Sequence, residues 1–193
     1  MLNVVLMNAY HYLGRGDEYV AKLKMGISRN LTVPHTYRVL TEDDCEPGVH
    51  GWWNKLFMFQ PGRFEGRCMY VDLDTVIVGN LDDIAGYRGD FAMISDFYHP
   101  QRLGSTLVLW DASKGHEIFA RWHNAGKPQT MPMGDQQWIE SVKPDADRLQ
   151  NLFPRQIVSF KAHCGAGIPE GARIVAFHGL PRPHHVNDLM RHW

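Results

Sequence analysis

The sequence has no excess of the basic charge on which nucleic-acid binding relies. Its 193 residues include 20 Lys and Arg against 21 Asp and Glu, and the formal net charge is -1 at pH 7. Proteins that bind the phosphate backbone of nucleic acids carry broad patches of Lys and Arg. We therefore expect no nucleic acid among the partners, and an anionic ligand would have to be met by a local cluster of cations.

Long hydrophobic runs are absent as well. The N-terminal segment MLNVVLMNAYHYLGRGDE contains only a short apolar run, with no basic region before it and no small-residue cleavage site after it. No later stretch approaches the ~20 consecutive apolar residues of a transmembrane helix. We therefore expect no transmembrane segment and a cytoplasmic location.

Cysteine is also scarce. Cys45, Cys68 and Cys164 are an odd number of thiols without C-x-x-C spacing. This pattern argues against a disulfide framework and against structural zinc. Internal repeats and low-complexity segments are missing too, and the length suits a single domain over residues 1–193 that can bury a sizeable core.

Segments of strand and helix character alternate along the chain. The apolar run LNVVLM predicts a strand, and it is followed by Val20, Leu23 and Ile27 at helical spacing. Strands interleaved with helices predict an α/β fold with a mostly parallel central sheet and helices on both faces. Further strands are predicted at 37–41, 68–73, 90–95, 105–110 and 173–179, and further helices at 52–59, 113–126 and 134–142.

Two carboxylates, Asp72 and Asp74, follow the apolar run CMYV. In an extended segment side chains at i and i+2 point the same way, so both carboxylates can meet one ion. Mg²⁺ and Mn²⁺ prefer oxygen ligands, and open α/β sheets bind ligands outside the carboxyl ends of their strands. The alternative is structural, because Asp also favours turns that accept backbone hydrogen bonds.

The segment YVDLDTVIVGNLDDI (70–84) resembles the D-x-D segment of GT-A-fold glycosyltransferases, especially the glycogenin-like, family 8 type. Other segments resemble the family in the same order and together span nearly the whole chain. The resemblance implies a single Rossmann-like GT-A domain. The matching segments are GWWNKLFMF (51–59), the lysine-containing helix; GSTLVLWDAS (104–113), a strand; MGDQQWI (133–139), the G-D-Q helix start; and IVAFHGLPRPHH (174–185), the closing strand and its loop.

The activity implied by this resemblance is metal-dependent transfer of a sugar from a nucleotide sugar, usually UDP-linked, with retention at the anomeric carbon. The acceptor could be a glycan, a protein or a small molecule. Asp72, Asp74 and His178 would bind Mn²⁺ or Mg²⁺. The ligand histidine of glycogenin-like sequences stands two places earlier, where this chain has Ala176, and a shift of two keeps the same strand face.

The resemblance also assigns residues to the donor. Lys55, Asp135 and Gln136 match family residues that face the donor's sugar or phosphate, and they are the catalytic candidates. Arg182 suits the diphosphate, because a guanidinium pairs well with phosphate oxygens. The donor-binding set implied in this way is Asn8 and Tyr10 near the base, with Lys55, Asp72, Leu73, Asp74, Gly179 and Arg182.

Two alternatives stay open. The segment around Asp72 also resembles the first motif of haloacid-dehalogenase-type phosphatases, in which Asp72 would be the nucleophile. Those enzymes generally carry the motif on their first strand, whereas here it follows two strand-helix units. The second alternative is a nucleotide-sugar-binding relative without transfer activity, suggested by Ala176 and by Gly104, where similar enzymes often have asparagine.

Overall fold

Nine β-strands lie within the part of the chain that the computed structural model describes, residues 1–9, 14–187 and 192. Several are only two or three residues long. They are β1 Leu2–Met7, β2 His35–Leu40, β3 Arg67–Val71, β4 Thr75–Ile77, β5 Phe91–Ser95, β6 Leu103–Asp111, β7 Asp147–Arg148, β8 Ile157–Ser159 and β9 Ile174–Ala176.

Helices connect most of these strands. A nine-residue 3-10 helix, Gly51–Phe59, precedes β3 where the sequence predicts a short helix. Within the described residues, no helix has both the length and the apolar character needed to cross a membrane; a cytoplasmic location stays a prediction. The α-helices are α1 Gly16–Asn30, α2 Asp82–Ala85, α3 Ala112–Asn124, α4 Gly134–Val142, α5 Leu149–Leu152 and α6 Phe160–His163.

The central sheet has six strands in the order β2-β1-β3-β6-β5-β7. β1 runs parallel to β2 and β3, and β5 runs parallel to β7. β6 is antiparallel to both of its neighbours, β3 and β5, so it runs against the other five strands of this described sheet. The predicted α/β fold with a mostly parallel sheet is therefore confirmed.

A smaller sheet, β4-β9-β8, was not predicted as a separate unit. β4 and β9 pair antiparallel, and β8 and β9 pair parallel. Each strand has three residues, which is too short for a two-residue alternation to be distinguished from a buried run. Of these three strands, only β9 lies within a strand predicted from the sequence.

Side chains of the central sheet point alternately into two hydrophobic cores. On β3, Met69 and Val71 face a core shared with α1 and the smaller sheet, whereas Cys68 and Tyr70 face a core formed with the 3-10 helix and α3. This alternation follows from the two-residue period of a strand. The same alternation places the side chain of Asp72, which follows β3, on the side of the sheet that Tyr70 faces.

Gly115 allows α3 to approach the 3-10 helix closely. A Cβ atom added there would lie 2.8 Å from Cδ1 of Phe59 and 2.9 Å from Cδ1 of Trp110. Both aromatic side chains are fully buried, so neither can move without disturbing the core. The contact helps to fix the 3-10 helix against the sheet.

We expect Gly115→Val to lower the free energy of unfolding by about 1–3 kcal/mol, because an overpacked core must shift its neighbours. Chemical denaturation measures the change. Gly165→Val is the matched control, since a Cβ atom at Gly165 meets nothing within 4 Å. Equal destabilisation by both variants would contradict the packing role of Gly115.

Candidate active site

The paired aspartates lie directly after β3. Asp72 points to the same side of the sheet as Tyr70, and the Tyr70 hydroxyl donates a hydrogen bond to Oδ1 of Asp72 at 2.5 Å. The backbone N–H of Asp72 donates to the carbonyl oxygen of Thr106 on β6 at 2.8 Å. The carboxylate of Asp72 is therefore held by its own strand and by the neighbouring one.

Lys55 brings a positive charge to this carboxylate from the 3-10 helix. Its Nζ lies 2.7 Å from Oδ1 of Asp72 and 3.9 Å from Oδ2 of Asp135, and it donates to the Ser105 hydroxyl at 3.2 Å. Burial lowers the pKa of Lys55, but the negative charges of Asp135 and Asp72 outweigh burial, and the net effect raises the pKa above its ordinary value. Lys55 is therefore a permanent cation.

Asp135 stands on the first turn of α4, which begins at Gly134. Burial raises the pKa of Asp135, while the charge of Lys55 and a hydrogen bond from Ser105 oppose the rise. The Oδ2 atom of Asp135 is buried and has no hydrogen-bond partner among the described residues. A buried acceptor without a partner is costly, and a bound ligand with hydroxyl groups would satisfy it.

Arg182 reaches Asp74 from the loop after β9. Its guanidinium donates a hydrogen bond to Oδ2 of Asp74, and the N–H of Phe177 donates to the carbonyl oxygen of Asp74 at 3.1 Å. Tyr19 of α1 forms a 2.5 Å hydrogen bond with His184 in the same loop. Burial and the charge of Asp74 raise the pKa of Tyr19 to about 12. The structure thus brings the predicted Arg182 to the D-x-D turn.

His178, the predicted third metal ligand, forms its hydrogen bond away from the two aspartates. Its Nε2 lies 2.7 Å from the Ser159 hydroxyl, and its ring contacts Phe97 and Tyr98. Burial and the charge of Lys161 lower the pKa of His178, which favours the neutral ring. Among the residues that can be described, no group of three or more His, Cys, Asp or Glu is placed to hold a metal ion. His178 therefore does not complete a ligand set with the two aspartates here, and its metal role stays a prediction.

A small cavity of about 110 Å³ separates His178 from α4. Gln136 lines it, so the predicted pair Asp135 and Gln136 faces two neighbouring spaces: the carboxylate cluster and this cavity. Gly104 also lines the cavity, and a Cβ atom there would lie 3.0 Å from Ile94. The asparagine common in similar enzymes would therefore crowd this wall.

Three other residues that were predicted to bind the nucleotide-sugar donor have local structural roles. Asn8, at the end of β1, donates a hydrogen bond to Asp17 of α1 at 2.9 Å, which ties the strand to the helix. The side chain of Leu73 is buried in the core, so only its backbone is available to a ligand. Gly179 has a φ of 74°, a left-handed conformation that favours glycine. Tyr10 lies outside the described residues.

Sequence reasoning missed Tyr70, Ser105 and Ser159, the hydroxyl partners of Asp72, Lys55 and His178. Only Tyr70 had a usable signal, because it precedes Asp72 by two residues on one strand face. The other two depend on which strands pair, and that register is a property of the folded sheet.

We expect Lys55→Met to lower the free energy of unfolding by about 3–5 kcal/mol at neutral pH, because it leaves the buried carboxylate of Asp135 without its cation. Without Lys55 the pKa of Asp135 rises further above its ordinary range, so protonation relieves the penalty and the loss should shrink as the pH falls toward 5. Urea titrations at pH 8 and pH 5 measure both effects.

Lys114→Met is the control for this prediction. Lys114 pairs with Asp90 at 3.2 Å, but both side chains are exposed, and exposed pairs contribute below about 1 kcal/mol. The charge balance described for Lys55 would be contradicted by either of two results. Lys55→Met could lower the free energy of unfolding by no more than Lys114→Met does, or its effect could be independent of pH.

No protein-family model matches the chain, and no curated protein matches it either. Solved structures of glycosyltransferases do share its fold. The glycosyltransferase GlyE of Streptococcus pneumoniae TIGR4 is 12% identical, with a TM-score of 0.62 over 94% of this chain and 55% of the GlyE chain. The apo structure of the bifunctional glycosyltransferase WbbM is also 12% identical, with a TM-score of 0.70 over 94% of this chain and 46% of the WbbM chain.

The galactosyltransferase LgtC, solved in complex with donor and acceptor sugar analogs, is similar over more of its own length. It is 12% identical, with a TM-score of 0.64 over 99% of this chain and 91% of the LgtC chain. This chain thus spans about half the length of the GlyE and WbbM chains and most of the LgtC chain. At this identity the likeness concerns the fold, and the fold is that of the GT-A glycosyltransferases.

Proposed function

We propose that the chain is a glycosyltransferase that takes a sugar from a UDP-linked donor and transfers it with retention, as in the glycogenin-like, family 8 type. The observation that carries the proposal is the cluster of Lys55, Asp72 and Asp135 beyond the carboxyl end of β3 in a GT-A fold. Ligands of open α/β sheets bind in this position. GlyE, WbbM and LgtC are glycosyltransferases, and LgtC binds donor and acceptor sugar analogs, which supports the assignment.

Asp72 and Asp74 would hold the divalent cation, Mn²⁺ or Mg²⁺. Their chemistry fits, because such ions are commonly bound by one or two carboxylates together with substrate phosphates and water. Lys55 and Tyr70 both contact Oδ1 of Asp72, which leaves Oδ2 for a further ligand. When bound, the ion would neutralise the diphosphate and stabilise the charge developing on the departing nucleotide.

The chain's own residues would bind the donor and stabilise the transition state. Lys55, held charged by its neighbours, would attract the donor phosphates. The buried carboxylate of Asp135 would accept a hydrogen bond from a sugar hydroxyl and stabilise a positively charged, oxocarbenium-like centre. Gln136 offers both an amide donor and a carbonyl acceptor to sugar hydroxyls in the adjoining cavity. Arg182 would contact the diphosphate beside Asp74.

We expect Asp74→Asn to abolish Mn²⁺-dependent binding of UDP, because it removes one of two anionic ligands of the ion. Isothermal titration with UDP, with Mn²⁺ and then with EDTA, measures the effect, and far-UV circular dichroism should report an unchanged fold. Asp90→Asn is the control, since Asp90 is an exposed carboxylate. Retained Mn²⁺-dependent UDP binding in Asp74→Asn would disprove the ligand role of Asp74.

A separate pair of variants tests His178. If this residue binds the ion in the donor complex, its ring must exchange its hydrogen bond with Ser159 for the metal. His178→Ala should then weaken Mn²⁺ binding in the presence of UDP by about tenfold or more, whereas Ser159→Ala, which keeps the ring and removes its competitor, should not. Equal Mn²⁺ affinities in wild type and His178→Ala would exclude the ligand role.

A further inference from the structure

Trp52 is an exposed tryptophan beside the candidate active site. Its side chain is 57% exposed, whereas Trp53, Trp110 and Trp122 are at most 5% exposed. A single exposed apolar side chain is common on protein surfaces, but tryptophan is enriched at interfaces, where one end of the side chain is apolar and the other is wet. Core packing explains the position of these three buried tryptophans, but it does not explain that of Trp52.

The position of Trp52 links it to Lys55. Both stand on the 3-10 helix Gly51–Phe59, three residues apart. Side chains at i and i+3 of a 3-10 helix eclipse one another, about 6 Å apart along the axis. Trp52 therefore continues, by one turn, the helix face that presents Lys55 to Asp72 and Asp135.

The indole also packs on the start of α4. Gly134 has a φ of 64°, and a Cβ atom added there would lie 2.0 Å from Nε1 of Trp52. Any side chain at this position would collide with the ring. Because Gly134 immediately precedes Asp135, the ring is held at the edge of the carboxylate cluster.

An open pocket of about 420 Å³ lies over this ring. Trp52, Trp53, His50 and Gln129 line it. Gln129 accepts a hydrogen bond from the N–H of His50 at 2.9 Å and donates one to the carbonyl oxygen of Gly48 at 2.8 Å. This amide ties the segment before the 3-10 helix to the loop before α4, so both walls of the pocket have a fixed spacing.

We propose that Trp52 is the platform for a carbohydrate acceptor, an inference that rests on the proposed transferase function. The flat, exposed indole suits the apolar C–H face of a pyranose ring, and the polar groups at the rim of the pocket suit its hydroxyls. An acceptor ring stacked there would lie one helical turn from Lys55 and beside Gly134, which directly precedes Asp135.

The competing occupant is the nucleobase of the donor, which also stacks on aromatic rings. Position favours the carbohydrate. The base is expected near Asn8 at the end of β1, whereas Trp52 packs on α4, which follows β6 and α3 in the chain and lies against β6 in the fold. The sheet order places β3 between β1 and β6, so the two positions lie on opposite sides of the D-x-D turn.

Direct binding tests the inference. Free oligosaccharides ending in glucose, galactose, mannose or N-acetylglucosamine are titrated into wild type, Trp52→Ala and Trp52→Phe, with and without UDP and Mn²⁺. We expect Trp52→Ala to weaken oligosaccharide binding by about tenfold or more and Trp52→Phe to stay within about threefold of wild type, because phenylalanine keeps a stacking face. The affinity for UDP should be the same in all three. Leu152→Ala, which removes another exposed apolar side chain, should behave as wild type.

Three results would overturn the platform: unchanged oligosaccharide affinity in Trp52→Ala, no oligosaccharide binding by the wild type in either condition, or loss of UDP binding in Trp52→Ala, which would make the ring a nucleobase platform. Failure of the transferase proposal gives a different pattern. Oligosaccharide binding that depends on Trp52 in a protein that does not bind UDP supports the platform and contradicts the transferase.

Discussion

The organisation of the site depends on one partly buried cation. Lys55 lies between the carboxylates of Asp72 and Asp135, which come from different parts of the chain. Removing the ammonium would leave buried negative charge without compensation, and removing the carboxylates would leave a buried positive charge. The 3-10 helix, the end of β3 and the start of α4 are thus joined by charge as well as by packing. Two carboxylates around one ammonium leave a net negative charge, which suits a nearby divalent cation better than it serves stability.

Packing around this cluster explains why the polar groups stay in place. Gly115 lets α3 press the 3-10 helix against the sheet, and Gly134 lets the Trp52 ring close over the first turn of α4. Tyr70 and Ser105 supply hydroxyl groups from β3 and β6 to Asp72 and Lys55. The side chains proposed to contact a donor are therefore already oriented, which would reduce the entropy lost on binding.

The fold and the centre of the site could be predicted from the sequence to different extents. The order of the longer strands and helices follows from local periodicity, which gives no signal for the short β7, α5 and α6. The D-x-D pair follows from the position of Asp72 at the end of an apolar strand. What the sequence could not give depends on tertiary pairing: the smaller sheet of three-residue strands, and the partner of His178, which is Ser159 on β8. The exposure of Trp52 could not be predicted from the sequence either, because the adjacent Trp53 is the same residue type and is buried.

Turnover of nucleotide sugars tests the central claim most directly. The purified chain is incubated with a panel of UDP-sugars and Mn²⁺, and released UDP is measured, with EDTA as the control. The account predicts UDP release from at least one donor, and none in EDTA. No release from any donor would contradict the transferase, and Mn²⁺-dependent UDP binding without release would instead favour a nucleotide-sugar-binding relative that lacks transfer activity.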